Sequence, residues 1–310
     1  MAFVGELIIV IDLFIKWGSM AMYRKSRQEI VDLFWERSEN GKLLTGIGTG
    51  MEQTAKHGDH LGADFLAFYH TGRLQRAGRS MLAGMLSYDD ANTIVQELGD
   101  EVLPAVRKTP VFAGVCGTDP FRKMDMFLRK LREQGFNGVQ NFPTVGIVDG
   151  RFRVNMEGTN MGYQVEVDMI RSAHELDLFT CPFIFDAEQG EAMARAGADM
   201  LLLHFGLVTK KAQERGDVPS IESCCDKLRQ VMEKSRAVRR DILIGCCGQQ
   251  VDSLEGAAQL MQNIPSTAGV FTFFPGKGEE SEKGLSTKVR EYRSLDRIKR
   301  AALQRRGAGR

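Results

Sequence analysis

From residue 42 onward the chain repeats one unit, in which a short apolar run is followed by an amphipathic stretch. The runs are near-continuously apolar rather than alternating, which is typical of parallel strands whose outer face is covered by helices. Eight runs can be located, at residues 43–48, 64–69, 110–115, 138–142, 178–185, 199–205, 242–246 and 269–274. Eight strand–helix repeats predict an α/β fold, a closed (β/α)₈ TIM barrel in a single domain.

The stretches between the runs carry helix signals. Residues 121–134 have apolar side chains spaced about 3.6 residues apart, Gly135 predicts the helix end, and Asp119 with Pro120 predicts its start. Further helices are predicted over residues 187–196, 220–239, 253–261 and 285–303. The polar connection 148–160 shows no secondary-structure signal. An open doubly wound sheet is the alternative, but it predicts a Gly-rich dinucleotide fingerprint after the first strand.

The length of 310 residues accommodates one barrel with short ends, since a barrel needs about 250 residues. The apolar segment 3–17 contains Glu6, Asp12 and Lys16 and is too short to span a bilayer. Met20 and Met22 are alternative starts. We therefore expect residues 1–21 to form a leader outside the barrel and residues 22–310 to form the barrel domain.

Net charge argues against nucleic acid and membranes as partners, and the cysteines indicate the cellular compartment. The formal net charge is +1, which provides no global field to attract nucleic acid or an anionic membrane. The six cysteines form neither a CxxC motif nor a zinc spacing, so they are predicted to be reduced thiols in a cytoplasmic protein. The sequence leaves open whether the protein is a homo-oligomer.

Polar residues concentrate where the predicted strands end. In a barrel the active site lies at the C-terminal ends of the strands, so these residues are expected to converge on one rim and to bind a small anionic metabolite. The candidates are Gly48, Thr49, Gly50, His70, Arg73, Arg79, Asp119, Asn141, Asp186, His204, Gly276 and Lys277.

Each candidate also has a structural interpretation. The glycines of segment 46–50 fit a tight turn better than a ligand-binding loop, and Gly276 with Lys277 could form a surface turn rather than a phosphate site. His70 and His204 are either site groups or core histidines. Asp119 fits a helix cap.

Four stretches resemble the phosphoenolpyruvate hydrolase-like family, also described as TIM-barrel signal transduction proteins and similar to the C-terminal domain of a plant tobamovirus resistance protein. They are YHTGRLQRAGRSMLAGMLSYDDAN, GVCGTDPF, GVQNFPTVGIVDGRFRVNMEGT and GADMLLLHFGL. The resemblance covers about residues 42–275. It implies a barrel related to the phosphoenolpyruvate mutase and isocitrate lyase group, a small oxo- or phospho-acid substrate, and a divalent metal such as Mg²⁺.

The chain departs from the family pattern in three places. It lacks the Lys-Lys-Cys-Gly-His signature of the related lyases and mutases. Cys246-Cys247-Gly248 stands where the family has His-Gly-Gly, and Gly276-Lys277-Gly278 stands where it has a GASSMERLP-like stretch. The last two changes fall on the loops that bind phosphate in the related enzymes, which puts phosphate recognition in doubt.

Two function hypotheses follow. In the first, an enzyme cleaves or hydrolyses a phosphoenolpyruvate-like anion. Arg73 and Arg79 clamp the anion, segment 48–50 cradles it, and His204 relays a proton. The carboxylates Asp119 and Asp186 hold the metal or act as acid and base. In the second hypothesis, a non-catalytic regulatory barrel binds a metabolite or nucleotide and then a protein partner. A purely structural scaffold has the least support.

Overall fold

The computed structural model describes residues 24–207, 214, 218–274 and 278–307. The predicted leader 1–21 and the site candidates Gly276 and Lys277 lie outside the described residues. No helix within these ranges is long and apolar enough to cross a membrane.

The described residues contain nine parallel strands in one sheet. In chain order they are β1 Leu44–Thr49, β2 Phe65–Phe68, β3 Val111–Val115, β4 Gly138–Asn141, β5 Phe179–Thr180, β6 Phe183–Ile184, β7 Met200–His204, β8 Leu243–Cys247 and β9 Gly269–Phe273. The sheet order is β5-β4-β3-β2-β1-β9-β8-β7-β6. Only Cys181 and Pro182 separate β5 from β6, so one extended segment pairs with β4 at its start and with β7 at its end. The ring is thereby closed, and the predicted barrel is confirmed.

Helices alternate with the strands. They are α1 Arg27–Glu39, α2 Glu52–Leu61, α3 Thr71–Arg76, α4 Ala91–Val102, α5 Met124–Gln134, α6 Gly150–Gly158, α7 Tyr163–Glu175, α8 Ala187–Arg195, α9 Ile221–Val238, α10 Leu254–Asn263 and α11 Gly278–Gly307. Helices α8, α9 and α10 match their predictions closely, and α11 extends beyond its predicted range at both ends.

Two expectations about the helices are wrong, and one helix was not predicted. Helix α1 precedes the region from which the repeat was counted, and α6 lies in the connection for which no structure was expected. The prediction that Asp119 and Pro120 start the next helix also fails, because α5 begins at Met124 with Lys123 at its N-cap. Asp119 instead accepts a hydrogen bond from the backbone N–H of Phe121 at 3.0 Å, which forms a turn before the helix.

Aromatic rings fill the interior of the barrel. The ring centroids of Phe65 and Phe112 are 5.1 Å apart, and those of Phe112 and Phe179 are 5.0 Å apart, with the rings nearly parallel in both pairs. A Cβ atom at Gly46 would overlap the ring of Phe65, so the absence of a side chain there makes room for the stack. The interior is a packed core rather than a channel.

Helix α1 closes the N-terminal end of this core. Its Phe34 side chain is fully buried and lies 5.3 Å from Phe179 between ring centroids. Arg27 donates two hydrogen bonds to the buried carboxylate of Asp199, at 2.6 and 3.0 Å. Since this end of the barrel is plugged, open space above the interior is found at the C-terminal ends of the strands.

Candidate functional site

A partly open cavity lies at the C-terminal ends of the strands, which is where (β/α)₈ barrels place their sites. Most of its lining is aromatic or aliphatic. The lining residues are Met81, Leu82, Met85, Phe142, Thr144, Ile147, Phe183, Phe185, His204, Leu207, Cys247, Gly248, Asp252, Phe271 and Phe273. Among these described residues there is no Lys or Arg. We call this space the C-terminal cavity.

The floor of the C-terminal cavity rests on Tyr69. Its ring lies 4.8 Å from both Phe142 and Phe273 between centroids, and its hydroxyl donates a hydrogen bond to the side-chain oxygen of Gln140. A Cβ atom at Gly48 would come within 2.6 Å of Phe271 and 2.9 Å of Tyr69. Gly48 therefore serves the packing of these rings.

The residues predicted to cradle an anion, Gly48, Thr49 and Gly50, are all buried, and none lines the C-terminal cavity. A Cβ atom at Gly50 would collide with the backbone of Gly72, so this glycine permits a close approach of two backbones. The side chain of Thr49 accepts a hydrogen bond from the backbone N–H of Met51 at 3.1 Å. The glycine spacing thus has a packing explanation.

His204 ends β7 and lines the C-terminal cavity. The backbone N–H of Gly206 donates to its Nδ1 atom at 2.9 Å. Burial, together with the positive charge of Lys227, lowers the pKa of the imidazole to about 4, and the rings of Phe183 and Phe185 lie 5.8 and 5.5 Å away. The imidazole is therefore neutral near pH 7. Since Nδ1 is an acceptor, the proton lies on Nε2.

Asp252 provides a carboxylate at the edge of the same cavity. Its Oδ1 atom accepts a hydrogen bond from the backbone N–H of Gly248 at 3.1 Å. Burial raises the pKa of this carboxyl group, although Gly248 and Lys288 act in the opposite direction. The candidates chosen at the predicted strand ends did not include Asp252, because it lies five residues beyond the end of β8, in a 3₁₀ turn.

A short 3₁₀ helix, Met81–Met85, covers one side of the C-terminal cavity. His70 holds it in place, because its Nε2 atom is 3.0 Å from the carbonyl oxygen of Gly84. The His70 ring is almost completely buried, and burial lowers its pKa. His70 does not line the cavity, and it supports the loop that does.

The two carboxylates predicted to hold a metal are engaged in local structure. Asp119 accepts hydrogen bonds from Asn92 at 2.9 Å and from Arg122 at 2.9 Å. Asp186 caps α8 by accepting from the backbone N–H of Gln189 at 2.7 Å. No group of three or more His, Cys, Asp or Glu residues suited to a metal ion occurs in the described part of the chain. The donor set around these carboxylates does not fit Mg²⁺, and we assign no step to a metal.

Asn141 is buried, and its side-chain amide forms hydrogen bonds within the fold. Its amide donates to Glu166 at 2.6 Å, and its side-chain oxygen accepts from the backbone N–H of Phe183 at 2.7 Å. Glu166 also accepts from the Thr144 hydroxyl and the Val145 N–H, both at 2.7 Å. Burial raises the pKa of Glu166 to about 7, although these hydrogen bonds oppose the shift.

Glu166 was missed by the sequence reasoning. Its only signal is its place on the apolar side of α7, among buried residues such as Tyr163, Val167 and Ile170. The network supports the loop that carries Thr144 to the cavity.

Neither predicted clamp arginine reaches the C-terminal cavity. Arg73 is half exposed and lies 3.5 Å from Glu97, and Arg79 is exposed. Of the predicted site residues that the structure describes, only His204 lines the cavity. The roles proposed for the others stay predictions that the geometry does not favour.

The closed parallel barrel with its cavity at the C-terminal strand ends defines a (β/α)₈ barrel protein. A family model described as phosphoenolpyruvate hydrolase-like matches residues 29–295. The chain belongs to this family, and the resemblance predicted from its motifs is confirmed.

Two curated relatives come from Solanum lycopersicum, the ToMV resistance protein Tm-1(GCR237) and the ToMV susceptible protein tm-1(GCR26). Each is 39% identical over 274 residues, which is 87% of this chain and 36% of the relative. The chain therefore spans about a third of the length of these relatives.

Solved structures support the fold. The phosphoenolpyruvate phosphomutase from Streptomyces platensis subsp. rosaceus is similar with a TM-score of 0.54 and 15% identity, covering 84% of this chain and 83% of that one. A phosphonopyruvate hydrolase in complex with oxalate and Mg²⁺ gives a TM-score of 0.50 and 14% identity, covering 87% of both chains. At such low identity the likeness extends to the barrel alone.

Proposed function

We propose that this chain is a cytoplasmic enzyme that binds a small carbonyl compound in the C-terminal cavity and catalyses a hydrolase- or lyase-type reaction. The observation that carries this proposal is His204, which offers a neutral Nε2–H group at the cavity wall. A fixed neutral donor beside a carbonyl oxygen stabilises the negative charge that develops there when the carbonyl becomes an enolate or a tetrahedral adduct. The six free cysteines are consistent with a reducing compartment.

The lining of the cavity restricts the substrate. A buried charge without a partner is costly, and the described lining contains one carboxylate and no Lys or Arg. Against this described part of the lining, a carbonyl compound with an apolar body and at most one negative charge fits better than phosphoenolpyruvate. Among the compounds implied by the family, a small oxo-acid is favoured over a phospho-acid.

Asp252 supplies the second chemical group. Its raised pKa brings the carboxyl group closer to neutral pH, where proton exchange is efficient. In the proposed reaction the Asp252 carboxylate accepts a proton from the substrate or from water, while the Nε2–H group of His204 holds the carbonyl oxygen. The aromatic walls exclude water from the reacting atoms.

The test is a thermal-shift screen with pyruvate, oxaloacetate, phenylpyruvate, acetylacetone and phosphoenolpyruvate, each with and without Mg²⁺. Ligand at about a hundred times its Kd adds roughly 2.7 kcal/mol of stability. Compounds that shift the melting temperature are then followed by proton NMR for turnover. We expect a shift with an apolar oxo compound and a loss of turnover of about a hundredfold in His204→Ala.

The matched control is His60→Ala, because His60 is an exposed histidine on α2. Turnover that survives in His204→Ala would refute the role of His204. A shift with phosphoenolpyruvate that requires Mg²⁺ would refute the substrate class and restore the metal-assisted phospho-acid reaction.

A second candidate is a non-catalytic regulatory barrel, as the description of the family as signal transduction proteins suggests. It is favoured by the engagement of Asp119 and Asp186 in a turn and a helix cap. A ligand that shifts the melting temperature but is unchanged by NMR after prolonged incubation would support this candidate over the enzyme.

A further inference from the structure

A second pocket, at the opposite end of the barrel from the C-terminal cavity, collects positive charge. It is partly open and lies beside the start of β3 and the end of α5. Its lining includes four cationic residues, Arg24, Lys25, Arg107 and Lys108, and no Asp or Glu. We call it the basal pocket.

Arg24 carries an unmatched charge in the basal pocket. Its Nη1 atom donates to the carbonyl oxygen of Arg132 at 2.8 Å, at the end of α5. Its Nη2 atom is buried and has no hydrogen-bond partner. Burial lowers the pKa of this guanidinium to about 10, and no carboxylate offsets that effect. A buried cation without a counter-charge is unfavourable unless an anion is bound beside it.

The backbone around Arg24 is shaped for its guanidinium. Gly135 follows α5 with a φ angle of +134°, and a Cβ atom there would lie 2.5 Å from the Nη2 atom of Arg24. Any other residue at this position would displace the guanidinium from its place against the helix end.

The other side of the basal pocket is also held in place. The backbone N–H groups of Arg107, Lys108 and Thr109 donate to the Asp59 carboxylate at 2.9 to 3.0 Å. Lys25 donates from Nζ to the carbonyl oxygen of Lys108 at 2.7 Å, which uses one of its three N–H groups. The loop is therefore fixed before any ligand arrives, while Asp59 is occupied by backbone donors.

We propose that the basal pocket binds a tetrahedral oxyanion, either inorganic phosphate or the phosphate group of a small metabolite. The buried Nη2 of Arg24 and the remaining N–H groups of Lys25 donate to its oxygens. Arg107 and Lys108 add positive charge at the exposed side. Charge-assisted hydrogen bonds from guanidinium and ammonium groups are the usual means of binding phosphate in proteins. A dianion matches a four-cation lining better than a single carboxylate does.

The test is isothermal titration calorimetry of inorganic phosphate against the full chain at constant ionic strength. We expect saturable binding at one site, competition by sulfate and much weaker binding of acetate. Arg24→Gln is expected to weaken phosphate binding at least about tenfold. The exposed Arg151 on α6, at the other end of the barrel, gives the matched control Arg151→Gln, which should bind phosphate as the unmodified chain does.

Two further variants keep the outcome decisive. Lys108 has an exposed side chain, so Lys108→Gln should fold normally and weaken phosphate binding several-fold even if Arg24→Gln does not fold. His204→Ala should leave phosphate binding unchanged, because His204 lines the other cavity. Equal affinity in the unmodified chain and both basal variants, or loss of binding in His204→Ala, would overturn the proposal.

Acetate binding as tightly as phosphate would also overturn it. Titrations of phosphorylated metabolites, such as phosphoenolpyruvate and glycerol phosphate, then establish whether the free ion or a phosphorylated metabolite binds more tightly. These outcomes are independent of the function proposed for the C-terminal cavity.

Discussion

Replacing His204 should change how the stability of the fold depends on pH. The native pKa of about 4 lies below the ordinary value of 6.5. Below pH 6.5 the unfolded chain therefore binds a proton that the native state does not bind, and stability falls as the pH falls toward 4. From these two values, the loss between about pH 8 and pH 5 is roughly 2 kcal/mol. His204→Ala should lack this loss.

Other titratable groups also change the stability of the fold between about pH 5 and pH 8, so the unmodified chain must be compared with the variant. His70 and His174 also have lowered pKa values and act in the same direction. Glu166 acts in the opposite direction. Its pKa rises from 4.5 to about 7, so its protonated form is favoured in the native state and stability falls as pH rises through this range. The difference in unfolding free energy between the unmodified chain and His204→Ala, taken at each pH, gives the part of the pH dependence that is due to His204.

The assay is urea unfolding of the unmodified chain and His204→Ala at several values between about pH 5 and pH 8, with His60→Ala as the control. NMR of the imidazole Cε1–H signal reports the titration of His204 directly. Parallel stability curves for the unmodified chain and His204→Ala, or a ring that titrates near its ordinary pKa, would refute the buried neutral imidazole.

Four further substitutions test the fold and the metal assignment. Phe34→Ala should cost about 3 to 5 kcal/mol in urea unfolding, because its ring is fully buried against the barrel interior; a cost near zero would mean that α1 is not part of the core. Gly72→Ala should cost about 2 kcal/mol or more, because the added Cβ meets the backbone of Gly50, whereas Gly158→Ala, with nothing near its Cβ, should change stability by less than about 1 kcal/mol. Asp186→Ala should cost about 1 kcal/mol through the lost helix cap and leave the heat of Mg²⁺ titration unchanged; abolished Mg²⁺ binding would contradict the cap as its sole role.

The barrel could be predicted from the sequence because parallel strands buried on both faces leave a continuous apolar signature. The same signature could not show that the fifth run would divide. Pro182 has no backbone N–H, and the ladder passes from β4 on one side of this residue to β7 on the other. The fifth run divides because β5 pairs with β4 and β6 pairs with β7. This pairing exists only in the closed barrel.

Helix α1 was missed, although its start carries a local signal. Ser26 and Glu29 form a capping box, in which the Ser26 side chain accepts from the Glu29 N–H and the Glu29 side chain accepts from the Ser26 N–H. This spacing is a recognised helix start, and it precedes the apolar residues Ile30 and Phe34. Counting repeats from the first strand left this segment out, since a helix before β1 has no place in the repeating unit.

The site was predicted less completely than the fold. Of the residues selected by their strand-end position, His204 lies at the wall of the C-terminal cavity. The same rule selected Asp119, Asn141 and Asp186, whose side chains are engaged by local donors. Position along a strand shows which end of the barrel a residue occupies, but the direction of its side chain depends on loop geometry. Part of the apolar character of the cavity comes from loops such as Met81–Met85, which strand periodicity does not describe.

The distribution of charge along the barrel axis leads to a final prediction. The described lining of the C-terminal cavity contains Asp252 and no cation, whereas the basal pocket is lined by four cationic residues. An oxo compound and phosphate should therefore bind at different ends of the barrel and not compete. Titration of the oxo compound found in the screen should give the same Kd with and without saturating phosphate, because neither ligand contacts the other's site. A Kd that rises in proportion to phosphate concentration would show instead that both ligands share one site, and the two-site assignment would then be wrong.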